Sequence, residues 1–367
     1  MNAPDLSPRA PATPVRALRI ALLGVGAIPI PPPGYGAVED YIANLARELR
    51  ALGHDVTVEN RVAPLRSTRA REVVAAGTLL GDLAGRRFDV LHAHSPLTAE
   101  FLRLGGRPYV FTSHSRYWRS DVQGLDRVRL ARDVLAVRGA EAVVALAPRV
   151  VPLFRRLRGD QGGPVEYVPF GVDGDRFHPV PDEAREGVVG LGVLAPHKRF
   201  DILAAAARQA RVPAAVLGPW GTPGERDRLL AINPALDLTG ELSNDELPRR
   251  LARAKVFVHP SDMELASVAT LQAMACGLPV VGSDLLEGIV TPGVDGWLVD
   301  HRMPFEERVA ETATHIRRLM SDDALWTRCS LAARTAALER HSWPSVATRI
   351  SDVYRRVAEG AHRRRPG

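Results

Sequence analysis

The chain has 367 residues, more than the roughly 250–300 at which a single hydrophobic core stops growing, so two domains are expected. Two cysteines, Cys276 and Cys329, exclude a disulfide framework and favour a reducing, cytoplasmic setting; no export signal and no run approaching about 18 apolar residues is visible. The formal charge of +6 comes almost wholly from arginine, since Lys198 and Lys255 are the only lysines; it suits nucleotide phosphates or acidic lipid, while the basic tail reads as a solvated end with no nucleic-acid partner.

After a loose leader, residues 18–23 form a short apolar run ended by Gly24-Val25-Gly26, the pattern of a buried parallel strand entering a tight turn. A proline-rich loop and Gly34-Tyr35-Gly36 follow. Apolar residues at 38, 41, 42, 45, 49 and 52 then have the spacing of a helix with one buried face, stopped by Gly53. Strand-like runs recur at 56–58, at 88–91 continuing to His94, at 109–112 continuing to His114, at 142–147 and at 165–170. The alternation restarts at 188–194, 214–217, 236–239, 256–259 and 279–282, and beyond 296–299 the chain is expected to be helical to its end.

Such alternation predicts an α/β protein of two doubly wound, Rossmann-like domains facing across a cleft, with ligands outside the carboxyl ends of the strands. The expected division is a leader at 1–17, an N-terminal unit at 18–178, a second unit at 179–340 and a terminal segment at 341–367. The linker falls within 171–187.

Candidate chemistry therefore belongs at strand ends. Glu264 follows the strand at 256–259, and Ser267 is placed to cap the helix that runs to Cys276. A helix start carries free N–H groups and about half a positive charge, which suits a diphosphate, although a plain cap explains Ser267 as well. Lys198 and Arg199 lie just past the strand at 188–194, where cations would neutralise a diphosphate leaving group or simply be solvated. Gly36 permits close backbone approach to a ligand, but Gly24-Val25-Gly26 lacks the third glycine of the dinucleotide fingerprint. His94 and His114 end adjacent strands and are expected to point toward the cleft. Arg116, Tyr117, Trp118 and Arg119 could meet a sugar acceptor, a lipid head group or a neighbouring helix, and Asp173 and Asp175 suit either hydroxyl binding or turns.

These residues, in this order, resemble glycosyltransferase family 4, whose members are retaining enzymes of the GT-B fold. The likeness runs through Gly34–Glu39, Gly53-His54-Asp55-Val56, His92-Ala93-His94-Ser95-Pro96, Thr112-Ser113-His114, Pro169-Phe170-Gly171-Val172-Asp173, Phe177-His178-Pro179, residues 192–201, 259–281 and the terminal 342–354. It implies transfer of a sugar from a nucleoside-diphosphate sugar to a hydroxyl acceptor, with no cofactor and no metal because cationic side chains take the metal's place. By the same resemblance His114, Lys198 and Glu264 would be catalytic. Gly36, Arg199, Ser267, Val268 and Gln272 would bind the donor, while Tyr35, His94, Arg116 and Tyr117 would face the acceptor. A peripheral contact with the inner, anionic face of a membrane is left open.

The chain departs from the family pattern where the donor binds. The second glutamate of the donor core is Gln272, the Gly-Arg pair of the phosphate strand is Gly192-Val193, the Pro-Phe-Gly after the first glutamate is Leu265-Ala266-Ser267, and the glycine-rich donor loop is shortened to residues 284–288. A divergent member with an atypical donor is one expectation. The alternative is a non-catalytic binding or regulatory protein of the same fold. A phosphorylase-like enzyme is disfavoured, because no lysine suits pyridoxal binding.

Overall fold

The computed structural model describes residues 16–33, 36–115, 118, 125–160, 162–180, 185–243 and 245–363. Its first sheet consists of β1 (Arg19–Leu23), β2 (Asp55–Glu59), β3 (Val90–Ala93), β4 (Val110–Thr112), β5 (Ala142–Ala145) and β6 (Val165–Tyr167). All pairings are parallel, in the order β2-β1-β3-β4-β5-β6. The second sheet consists of β7 (Glu186–Leu191), β8 (Ala214–Leu217), β9 (Asp237–Leu238), β10 (Ala254–His259), β11 (Val280–Ser283) and β12 (Gly296–Val299). It too is parallel, in the order β12-β11-β10-β7-β8-β9. Helices cover both faces, so the central strands are buried on both sides and read in the sequence as continuous apolar runs.

The strand orders decide where ligands can sit. In the second sheet the chain moves outward from β7 through β8 and β9, then returns to β7's other side with β10, so the loops after β7 and β10 leave in opposite directions. A crevice opens at such a switch point, and in the first sheet the same divergence falls between β1 and β3. Lys198 follows β7 and Glu264 follows β10; His94 follows β3 and His114 follows β4.

Two details differ from the sequence expectation. Gly296–Val299, taken only as the point where the helical end begins, is a sixth strand on the edge of the second sheet, in register with β11 through Val280↔Gly296 and Ser283↔Val299. The expected strand at 236–239 shrinks to the two residues of β9.

The last helix, Trp343–Arg363, buries Val346, Ala347, Ile350, Val353 and Tyr354, the i, i+4, i+7 face of its pattern. This face lies on the first unit: His54 Nε2 and Ser351 Oγ are 2.7 Å apart, and the Tyr354 hydroxyl pairs with His92 Nδ1 at 2.5 Å. The segment that precedes it is anchored by a close packing. A Cβ on Gly171 would lie 2.3 Å from the Trp343 indole, so only glycine allows the chain to pass that ring. Among the described residues, no helix is long and apolar enough to cross a membrane.

Candidate active site

The loop after β7 tightens into a single turn, Pro196–Lys198, before the helix Phe200–Ala210 begins. The turn aims Lys198 back across the crevice, where its Nζ donates to Glu264 Oε2 at 3.1 Å. Glu264 Oε2 also accepts from His259 Nε2, the last residue of β10, at 2.9 Å. Burial alone would raise the Glu264 pKa, but the His259 hydrogen bond and the Lys198 charge outweigh it and bring it down to about 2. Glu264 is thus a fixed carboxylate at neutral pH. His259, fully enclosed and close to Lys198, is held neutral and serves as an N–H donor.

Behind this pair stands the helix Val268–Ala275. Ser267 is its N-cap, with Oγ accepting from Thr270 N at 3.3 Å and from Thr270 Oγ1 at 2.8 Å. The cap leaves the first-turn amides at Val268 outside the helical ladder, at the positive end of the peptide dipoles. Leu271, Met274 and Ala275 anchor the helix in the core, while Gln272 is half-buried and its side chain makes no hydrogen bond among the described residues.

Arg199, expected to bind the donor, is engaged by carboxylates of its own unit. Its guanidinium donates to Asp262 Oδ2 at 2.8 Å and to Asp201 Oδ1 at 3.1 Å, and Arg308 closes the same network from Asp262 Oδ1 at 2.6 Å. Arg199 itself sits in the left-handed region with φ 53°. Two carboxylates take up its donors, so it braces the loop that carries Lys198.

Sequence reasoning missed a second cation. Arg149, in the turn after β5 of the first unit, reaches across the cleft and donates to the main-chain oxygen of Leu285 at 2.9 Å and to that of Glu264. Burial lowers its pKa, against the pull of Glu264, Glu287 and Asp284. Tyr167 OH donates to Gly288 O at 3.3 Å beside it, so the shortened loop at 284–288 is held from the opposite domain. The strand-end argument that selected His94 and His114 applies equally to Arg149, which lies four residues past β5.

On the facing side, Gly36 is the N-cap of the helix Ala37–Ala51, where a Cβ would meet Ile28 Cδ1 at 2.7 Å and Pro32 Cβ at 2.9 Å. Its φ of −172° is ordinary extended backbone, so close packing is what requires glycine. His114 is half-buried, and burial takes its pKa down to about 3. His94 does not open onto the cleft as expected: it is enclosed, and its Nδ1 meets His114 Nε2 at 3.1 Å. Trp118 packs on Phe154 with ring centroids 4.7 Å apart and donates to Ser113 Oγ, which is the neighbouring-helix role. Asp173 Oδ1 accepts from the amides of Asp175 and Arg176, the role of a turn aspartate. Tyr35, Arg116 and Tyr117 lie outside the described residues.

Among the described residues, one group of side chains could hold a metal ion: Asp284, Asp300 and His301, whose ligand atoms lie within 4.8 Å of one another. The His301 ring is hydrogen-bonded to Asp284 Oδ1 at 2.7 Å, past the ends of β11 and β12, and β11 is the strand next to the β10 that precedes Glu264.

Both units have counterparts among known proteins. Residues 38–176 match the model described as Glycosyltransferase Family 4, and residues 185–322 match that described as Glycosyl transferases group 1. The D-inositol 3-phosphate glycosyltransferase of Thermobispora bispora is 28% identical, with 96% of this chain and 97% of that protein covered. The alpha-maltose-1-phosphate synthase of Mycobacterium tuberculosis is 27% identical over 89% of this chain and 97% of its own length. Among solved structures, the sucrose-phosphate synthase of Thermosynechococcus elongatus superposes with a TM-score of 0.78 at 20% identity, covering 93% of this chain and 99% of that one. HepE from Anabaena, solved with UDP-glucose, gives 0.69 at 19% identity, covering 92% and 99%. With both domains matched in order along the two sheets, the chain belongs to glycosyltransferase family 4 and is a glycosyltransferase of the GT-B fold.

Proposed function

We propose that the enzyme moves a sugar from a nucleoside-diphosphate sugar to a hydroxyl acceptor with retention at the anomeric carbon. The observation that carries this reading is the Lys198–Glu264 pair beside the capped helix start at Ser267, a cation, a fixed carboxylate and a set of free amides at one switch point. A neighbouring fold solved with UDP-glucose supports a nucleotide-sugar donor.

In this reading the diphosphate lies against the amides at Ser267–Val268 and takes the Lys198 ammonium as its counter-ion. Charge grows on the leaving phosphate oxygen as its bond to the anomeric carbon breaks, and a fixed cation stabilises that state more than the ground state. Glu264, ionised at neutral pH, cannot give a proton; it accepts hydrogen bonds from sugar hydroxyls and fixes the ring. The acceptor oxygen bonds to the anomeric carbon from the face the phosphate leaves, and its proton passes to the departing phosphate oxygen. Gln272 contacts the ribose with one acceptor and one donor in place of a carboxylate. No metal is needed in this scheme, since Lys198, the helix start and Arg149 supply the positive charge. The acceptor is a small molecule, glycan or lipid, and co-sedimentation with anionic liposomes separates the lipid case.

The test is incubation with UDP-, GDP-, ADP- and dTDP-sugars, scored by thermal shift and nucleotide release, with product configuration read by NMR. The reading expects stabilisation by at least one donor and an unchanged anomeric configuration in the product. An inverted product, or no response to any donor, refutes it.

A further inference from the structure

The contact between His94 and His114 has only two neutral forms, and the surroundings distinguish them. Burial keeps both imidazoles uncharged, with His114 brought down to about 3 and His94 held well below its ordinary range. Exactly one proton must therefore lie between His94 Nδ1 and His114 Nε2, which are 3.1 Å apart. If that proton belongs to His114, His94 carries its own on Nε2, an atom that is enclosed and has no hydrogen-bond partner among the described residues. If it belongs to His94, the enclosed Nε2 is a bare lone pair. Unpaired buried N–H groups are rarer in proteins than under-satisfied acceptors, so the second form is favoured.

The neighbouring imidazole offers His94 no alternative partner. His92 lies 4.1 Å from the His94 ring between centroids, with its own two nitrogens engaged by Tyr354 OH and Thr112 Oγ1. Tyr41 stands edge-on to His114 at 5.2 Å, and Phe170 does so at 6.3 Å.

We propose that His94 is a positioning residue that donates Nδ1–H to His114 Nε2 and so fixes His114 with its proton on Nδ1. His114 then presents a hydrogen-bond donor to whatever lies at the end of β4. It binds an oxygen of the sugar or the acceptor, and it does not act as the base that takes the acceptor's proton. The consequence for catalysis rests on the transferase reading, in which the leaving phosphate takes that proton, but the tautomer itself is a property of the protein alone.

It can be read directly in the full-length, ligand-free enzyme with 15N-labelled histidine, using two-bond 1H–15N correlations assigned by substitution. The expected pattern places the proton on Nδ1 in both His94 and His114, with the His114 Nε2 signal shifted upfield by its hydrogen bond. His94→Leu should move that Nε2 signal downfield to the position of a free lone pair. His94→Asn, whose amide nitrogen lies near the place of Nδ1, should restore it. A proton on His114 Nε2 in the native enzyme, or an Nε2 signal unmoved by His94→Leu, overturns the proposal. Neither result depends on whether any donor binds, so failure here is distinguishable from failure of the transferase reading.

Discussion

Arg149 of the first unit donates both to the main-chain oxygen of Leu285 and to that of Glu264 in the second, so a single guanidinium joins the domains at the mouth of the candidate donor pocket. Its partners are carbonyls, whose positions depend on the two loops and not on side-chain rotamers. The contact therefore depends on how the two domains are placed across the cleft.

Arg149→Ala removes both bonds without touching Lys198 or Ser267. Hydrogen bonds from a charged donor are worth about 1.5–3 kcal/mol each before solvent replaces them, so closure should weaken and donor KM rise about tenfold. Arg149→Lys should recover only part of this, because an ammonium cannot span two carbonyls as the planar fork does. Steady-state kinetics with the best donor checks both variants.

Gln272→Glu should tighten donor binding. A charged acceptor on the ribose exceeds a neutral one by about 1 kcal/mol, which is about fivefold in Kd. Calorimetric titration of the variant decides; an unchanged or weaker Kd removes Gln272 from the ribose site.

At Gly171, an added methyl would lie 2.3 Å from the Trp343 indole, and both sides of that contact are buried. Gly171→Ala should cost about 1–3 kcal/mol and alter the indole environment. Urea unfolding followed by tryptophan fluorescence measures both effects. Because Trp343 opens the helix that lies on the first unit, the same variant should loosen the return of the chain to that unit.

Stability should fall on acidification from pH 7 to 5. Burial lowers His92 and His114 to about 3 and His341 to about 4. The unfolded chain takes up protons near pH 6.5 while the folded one does not, so each imidazole withdraws about 1.4 kcal/mol per pH unit below that value. Asp133, raised to about 6 by burial, acts in the opposite sense, since it favours the folded state at low pH and loses that contribution as pH rises through 6. Three lowered imidazoles outweigh one raised carboxyl, so urea midpoints should drop steadily between pH 6.5 and 5. A flat profile would show that these rings are hydrated.

The two sheets were legible because parallel strands buried on both faces must be apolar throughout, and glycines mark their ends. β12 was hidden because four residues bounded by glycine look like a turn leading into helices, and only its register with β11 shows it as an edge strand. Of the site, Lys198, Glu264 and Ser267 could be placed by strand-end reasoning, since Lys198 stands out in a chain with two lysines. Arg149 could not be singled out in the same way, being one arginine among dozens. Nothing local foretells that Arg199 adopts a left-handed conformation and spends its charge on Asp201 and Asp262, because those partners come from the folded loop.

The central claim is that Lys198, beside Glu264, neutralises a donor diphosphate. Titrating the intact enzyme and Lys198→Ala with the nucleoside diphosphate of its preferred donor tests it most directly, with a pre-check that the variant unfolds at a similar urea concentration, since Glu264 keeps its His259 partner. The account predicts that the substitution weakens diphosphate binding by about 2 kcal/mol, roughly thirtyfold, and lowers turnover by a hundredfold or more. Equal affinity and turnover in the two proteins would contradict it.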